Sequence, residues 1–202
     1  MKLLVGLGNP GRRYARTRHN VGWRIAERFA EECGVRLDRD EHRGRYGEGH
    51  LRCDVRSLEV GVLLPQDFMN LSGDAVAEAL ASLPIEDPRS DLLLVFDDVD
   101  LPFGRLRLRP GGGAGGHRGL GHVIERLGRR DFPRLRFGVG RPPDGTDTVE
   151  WVLQSFSPEE EAALPDLVAR AARAVASALC DGIAAAMNAW NRDPAPQEDP
   201  AP

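Results

Sequence analysis

Residues 3–11 read LLVGLGNPG, an apolar run that ends in Gly6-x-Gly8-x-x-Gly11. The run predicts a buried strand over residues 2–7, and the glycines predict a tight backbone turn at its end. The residues just beyond the glycines decide the fold. A dinucleotide-binding unit opens its first helix at the third glycine and places an acid roughly 20 residues on, at the end of its second strand. Here NPGRRYARTRHN intervenes and helical periodicity starts only near Asn20. Glu31 and Glu32, the acids at that distance, fall inside the first helix. Both tests fail. The glycines instead predict a chain that turns at the carboxyl edge of a sheet, where ligands sit in open α/β folds, and presents Asn9 there. The plainer reading is that Asn9-Pro10-Gly11 is simply a turn, which its residue types favour.

Strand and helix patterns alternate outward from this point. Residues 20–33 place Val21, Ile25, Ala26 and Phe29 on one helical face, and Gly34 closes that helix. Residues 44–64 hold two or three short strand-like pieces. SGDAVAEALASL (72–83) reads as a helix capped by Ser72 and ended by Pro84. DLLLVFDDVDLP (91–102) is the clearest interior strand, and it ends in an acidic cluster. RLRLR (105–109) alternates like a half-exposed strand, GHRGLGHVIERLG starts a helix, and RLRFGVG (134–140) is another strand. The pattern is helical from Pro158. Pro165 suits the first turn of a further helix, and Gly182 weakens and divides the stretch. Val168, Ala172, Val175, Leu179, Ile183, Met187 and Trp190 form its apolar stripe. The expectation is an α/β fold: a single-domain α/β/α sandwich over residues 1–191 with a mostly parallel, mixed central sheet. Residues 192–202 form an acidic, proline-rich tail expected to be disordered.

Composition narrows the function. With 41% hydrophobic and 29% charged residues, the chain reads as an ordinary soluble protein. It has neither a bilayer-length apolar run nor a signal-peptide core, so no membrane is expected and the location reads as cytoplasmic. Three scattered cysteines without a CxxC read as reduced, packed thiols rather than a disulfide or metal framework. The net charge of −4 hides an asymmetry. Residues 1–24 carry six basic groups and no acid, and residues 101–141 carry ten arginines against Glu125 and Asp131. Residues 142–202 carry three arginines against eleven acids. A basic face of this kind suits a phosphate-rich partner, although scattered arginines also serve as a plain solvated surface.

The chemistry-bearing residues are few. The chain has no HExxH, no GxSxG elbow and no Walker loop, because GGGAGG (111–116) lacks a following Gly-Lys-Ser/Thr. What remains is His19, just before the first helix, and Asp97-Asp98-x-Asp100 at the end of the best interior strand. In a parallel sheet both lie near the carboxyl edge, with Asn9. A carboxylate on one imidazole nitrogen makes the other a general base, and with no nucleophilic side chain such a base activates water. Pattern alone does not rank the three acids. Any single histidine also serves often as a packed residue, and Asn70 could equally cap a helix.

Five segments in order, VGLGNPGRRYARTRHNVG, FMNLSG, DDVDLPFGRLRLR, GGGAGGHRGL and RLRFGVGRP, closely resemble bacterial-type peptidyl-tRNA hydrolase across residues 5–142. The resemblance implies a monomeric enzyme that cleaves the ester joining a peptide to the 3′ end of tRNA, without a cofactor or metal. It assigns the general base to His19, the residue that holds the base to Asp97, and discrimination of an acylated α-amino group to Asn9. It places Tyr14, Phe68 and Asn70 against the substrate or its 3′ end. One departure matters: Arg118 stands where the family usually has asparagine, which adds charge and removes an acceptor. Ala114 replaces a common histidine. The alternatives are a non-catalytic RNA-binding relative of the same fold and a nucleotide-binding oxidoreductase.

Overall fold

The computed structural model describes residues 1–192; residues 193–202, nearly all of the expected tail, lie outside them. Seven strands form one sheet: β1 (Lys2–Gly6), β2 (Arg39–Glu41), β3 (Gly44–Arg52), β4 (Ser57–Pro65), β5 (Leu92–Asp98), β6 (Leu106–Arg109) and β7 (Arg134–Gly138). Their order is β2-β3-β4-β1-β5-β7-β6. The pairs β1–β4, β1–β5 and β5–β7 are parallel, while β2–β3, β3–β4 and β6–β7 are antiparallel. Helices are α1 (Val21–Glu32), α2 (Ser72–Ser82), the single turn α3 (Pro88–Asp91), α4 (Arg118–Leu127), α5 (Thr148–Leu153), α6 (Pro158–Cys180) and α7 (Ile183–Trp190).

The layers follow from strand alternation, because successive side chains point to opposite faces. Leu4 of β1 packs with Val62, Val95 and Phe137 under Ile25 and Phe29 of α1 and Leu164 and Val168 of α6. Leu3 and Val5 face the other way, onto Ala75, Val76 and Ala79 of α2 and Leu120 and Val123 of α4. The central strands are therefore apolar on both faces, as a sheet covered twice requires. This is the α/β/α sandwich expected. Because β1, β4, β5 and β7 run the same way, the segments after their carboxyl ends gather at one edge. That edge carries Asn9, Phe68–Asn70 and Gly140 after their strands, and Asp97–Asp98 at the end of β5.

The opening glycines have a different use from a phosphate loop. A Cβ on Gly6 would meet Gly22 O at 2.5 Å, and one on Gly8 would meet the Trp23 ring at 2.7 Å. Two of the three thus let α1 lie directly on the end of β1. Only Gly11, with φ of 101°, needs the left-handed region.

Several local expectations change. Residues 44–64 form two nine-residue strands in a long hairpin rather than short pieces. Neither Ser72 nor Asn70 caps α2: the cap position is Leu71, and the Ser72 hydroxyl donates to Met69 O. Pro165 lies inside α6, which starts at Pro158 with a Ser157–Glu160 capping box. The stronger cap upstream sets the start. Gly182 does divide α6 from α7. Cys53 and Cys180 form a disulfide, against the expectation of three reduced thiols. The hairpin end and the end of α6 bring their Cα atoms to 5.7 Å across 127 residues, which spacing in the chain could not show. Cys33 remains a free thiol.

Candidate active site

Two anchors hold a short 3-10 turn, Arg18–Asn20, at the carboxyl edge of the sheet. Asn20 fastens it to the glycine loop: its Nδ2 donates to Asn9 O and its Oδ1 accepts from Asn9 N–H, both at 2.9 Å. Arg18 fastens it to Ser155, between α5 and α6, and to Glu160 in the first turn of α6. Between them His19 is 8% exposed, and its Nδ1 lies 2.8 Å from Asp97 Oδ1. Asp97 is the last residue but one of β5 and is 3% exposed.

A second histidine meets the same oxygen. His117 Nε2 is 3.1 Å from Asp97 Oδ1, while its Nδ1 accepts the Leu120 N–H at the start of α4. That backbone donor fixes the tautomer, since an Nδ1 accepting a bond cannot carry the proton. His117 Nε2–H therefore donates to Asp97. Burial alone would raise the Asp97 carboxyl, but the two imidazoles outweigh it and hold it well below the ordinary carboxylate range. Asp97 is an ionised acceptor, so His19 donates through Nδ1 and keeps a lone pair on Nε2. No partner holds that Nε2 among the described residues. The three ligand atoms of His19, Asp97 and His117 lie within 4.8 Å of one another, a spacing a metal could also use. Their hydrogen bonds satisfy one another without it.

The other two acids turn elsewhere. Asp98 accepts the Asp100 N–H and pairs with Arg136, and Asp100 pairs with Arg141 at 3.0 Å. Geometry thus ranks the acids that pattern could not. His117 escaped the sequence reading because it lies 20 residues from Asp97 and only the glycine loop folds it back.

His19, Asp97 and His117 line a cavity of about 500 Å³ with the glycine loop, Arg118, and Thr148, Val149 and Val152 of α5. Four arginines border it, in two kinds. Arg134 is buried and donates to Gly112 O, Gly113 O and Arg130 O, pinning the glycine loop; burial, then Arg136, lowers its guanidinium to about 10. Arg136 is held by Asp98. Arg109 and Arg118 are exposed and have no partner among the described residues. The expected phosphate contacts therefore reduce, within this cavity, to those two.

Asn9, Tyr14, Phe68 and Asn70 do not line the cavity. Asn9 is 6% exposed, and its Oδ1 accepts the Met69 N–H at 2.8 Å, which ties the loop after β1 to the Phe68–Asn70 segment. Only an oxygen can meet that N–H, so Asn9 Nδ2 faces away from it and has no protein partner among the described residues. Phe68 is 51% exposed and Asn70 is exposed beside it. Tyr14 is half-buried, with the Arg13 guanidinium 4.5 Å over its ring.

A buried carboxylate–imidazole pair at the carboxyl edge of an α/β/α sandwich, opening on a basic cavity, is an arrangement suited to activating water in a hydrolytic enzyme. The chain belongs to the peptidyl-tRNA hydrolase family, whose sequence profile matches residues 3–198. The peptidyl-tRNA hydrolase of Chloroflexus aggregans is 48% identical over 191 residues, covering 95% of this chain and 99% of that protein. The one from Symbiobacterium thermophilum is 48% identical over 190 residues, covering 94% and 98%. The crystal structure of peptidyl-tRNA hydrolase from Acinetobacter baumannii superposes with a TM-score of 0.81 at 32% identity, over 95% of this chain and 94% of that one. No helix among the described residues is long and apolar enough to cross a membrane.

Proposed function

We propose that the protein hydrolyses the ester between a peptide and the 3′ end of tRNA, with His19 as general base. The observation that carries this is the 2.8 Å bond from His19 Nδ1 to Asp97 Oδ1, with the tautomer fixed through His117. His19 Nε2 takes a proton from water, and the hydroxide attacks the ester carbonyl. Collapse breaks the bond to the ribose oxygen, which receives the proton from the imidazolium; the products are tRNA and the peptide acid, which releases its remaining proton to solvent as the carboxylate. Asp97 stabilises the imidazolium in between. The free Asn9 Nδ2–H suits a substrate carbonyl near the acylated amino group. An unblocked substrate brings an ammonium that must be desolvated there, which is costly.

Phe68 and Asn70 offer an exposed ring and an amide to the unpaired 3′ nucleotides, and Tyr14 a further ring. Arg118, exposed at the mouth of the cavity and without a partner among the described residues, takes a backbone phosphate near the acceptor stem. The enzyme in this reading is a cytoplasmic monomer that recycles tRNA from peptidyl-tRNA dropped by ribosomes, with no cofactor or metal. The test is hydrolysis of N-acetyl-aminoacyl-tRNA beside its unblocked counterpart, with wild type and His19→Ala. Cleavage of the blocked ester alone, lost in the variant, is expected. Binding of tRNA without cleavage of either ester would instead support a non-catalytic RNA-binding protein.

A further inference from the structure

Arg18, the residue before the base, is only 3% exposed and is held on every side but one. Its Nη1 donates to Ser155 O at 2.7 Å and reaches Gln154 O at 3.5 Å; its Nη2 donates to Glu160 Oε2 at 2.6 Å. Its guanidinium lies 3.6 Å over the Trp151 ring and 5.4 Å from that of Phe156. Its backbone N–H bonds Gln154 O at 3.0 Å, and Thr17 bridges to Ser155. Among the described residues, its Nε alone lacks a partner. Burial lowers the guanidinium's affinity for its proton, and the Glu160 carboxylate opposes this. That carboxylate oxygen also accepts the Ser157 N–H of the capping box that starts α6.

Trp151 lies on α5, and its Nε1 donates to Gly140 O at 2.9 Å, just past β7. The same short helix turns Thr148, Val149 and Val152 into the cavity that His19 lines. A six-residue helix has too few internal bonds to hold its own position. Stacking by a planar, always charged side chain, with two carbonyls at its end, supplies the fixation.

We propose that Arg18 is a positioning residue, fastening the turn that carries His19 to α5 so that the base and the apolar wall of the cavity form one rigid body. The proposal rests on the reading of His19 as the base and extends it. The acyl part of the substrate lies against Val149 and Val152, and contact made there sets the distance from its carbonyl to the water that His19 activates. A loosened strap leaves tRNA binding intact and lowers turnover, because small misplacements of reacting groups cost on the order of 10²-fold.

The strap can be cut from either end. Arg18→Met keeps the side chain's length and removes its donors and charge; Trp151→Leu removes the stack and the bond to Gly140. In each, kcat on N-acetyl-aminoacyl-tRNA should fall about 10–100-fold while KM changes less than about threefold. The double variant should lose little more than either single one, because both cut the same link. Arg18→Lys, which keeps the charge but not the plane, should recover part of kcat. Amide exchange gives a readout independent of activity: the Arg18 and Asn20 amides should exchange faster together with α5 in both variants, with β1 and β5 unchanged. A kcat within twofold of wild type in Arg18→Met, or additive losses in the double variant, would overturn the proposal. So would a rise in KM at constant kcat, or unchanged exchange in α5. If Arg18→Met fails to fold, Trp151→Leu and Arg18→Lys decide by the same criteria. An inactive wild type would sink the hydrolase reading instead, and the exchange data would still decide whether the strap exists.

Discussion

Asp97 is the residue on which the site turns, because one oxygen takes protons from two imidazoles. Asparagine in its place keeps an oxygen that can accept from both, but it carries no charge to stabilise the imidazolium that His19 becomes. Asp97→Asn should therefore lower kcat by about 10²–10⁴, the range seen when an orienting carboxylate is lost, with KM nearly unchanged. The same carboxyl ties stability to acid. Its folded pKa is depressed, so its contribution is complete above the unfolded value of about 3.9 and is lost as pH falls below that, toward the folded value. Acid unfolding followed by circular dichroism should show a shallower dependence below about pH 4 in Asp97→Asn, and identical slopes would contradict the assignment. Arg118 makes a different claim, since it acts through charge. Arg118→Asn should reduce the slope of log affinity for tRNA against log salt by about 0.7–0.9, one phosphate contact. An unchanged slope would remove Arg118 from the tRNA surface. The sequence displayed His19, Asn9 and the cluster Asp97-Asp98-x-Asp100 because each stands at the end of a strand or just before a helix, while only the family resemblance singled out Asp97 among the three acids. It concealed His117, Asn20 and Arg18, whose partners are 20, 11 and more than 130 residues away.

Elements were legible where their own pattern fixed them. β5, with four leucine and valine residues and a phenylalanine before its acids, needed no context, and neither did the amphipathic α1. Element ends were harder, because they depend on partners elsewhere. Pro165 suits a first turn locally, yet the Ser157–Glu160 box together with Arg18 starts α6 seven residues earlier. α5 escaped entirely: six residues carry too little periodicity, and Asp147, which accepts from Val149 and Glu150, resembles any turn aspartate. The edge strand β6 shows another such dependence. Its four residues leave one side without a strand partner, and the Asn191 side chain fills part of it, accepting from Leu108 N–H at 2.7 Å and donating to Leu108 O at 3.0 Å. A side-chain amide here imitates a neighbouring strand and blunts an edge open to other chains. Asn191→Ala should cost about 1–3 kcal/mol, two hydrogen bonds' worth, in a urea titration. It should also raise light scattering near the midpoint. A loss below about 0.3 kcal/mol would mean that water replaces the amide without penalty.

At the scale of the molecule, chemistry and covalent reinforcement sit at opposite ends of the sheet. The site gathers after the carboxyl ends of β1, β4, β5 and β7, while the Cys53–Cys180 disulfide ties the β3–β4 hairpin tip to the end of α6. Three scattered cysteines in the sequence read as thiols, because nothing local to residue 53 or 180 announces the other. Only the assembled layers bring them together. A cross-link spanning 127 residues removes much freedom from the unfolded chain, about 5 kcal/mol in the chain-entropy account and less if the unfolded state stays compact. Replacing both cysteines by serine should therefore lower unfolding free energy by about 3–5 kcal/mol and the melting temperature by on the order of 10 °C. Cys33 will not complicate the measurement: burial, with Glu32 beside it, pushes its thiol up to about 11, leaving about one thiolate in 10⁴ at neutral pH. Turnover at about 25 °C should be unchanged in the double serine variant, since α6 reaches the base through its other end, where Glu160 holds Arg18. Adding a strong reductant to the wild type should reproduce the stability loss and do nothing further to the variant. If turnover fell with stability, the two ends of α6 would be mechanically coupled, and the disulfide would belong to the apparatus that holds His19 in place.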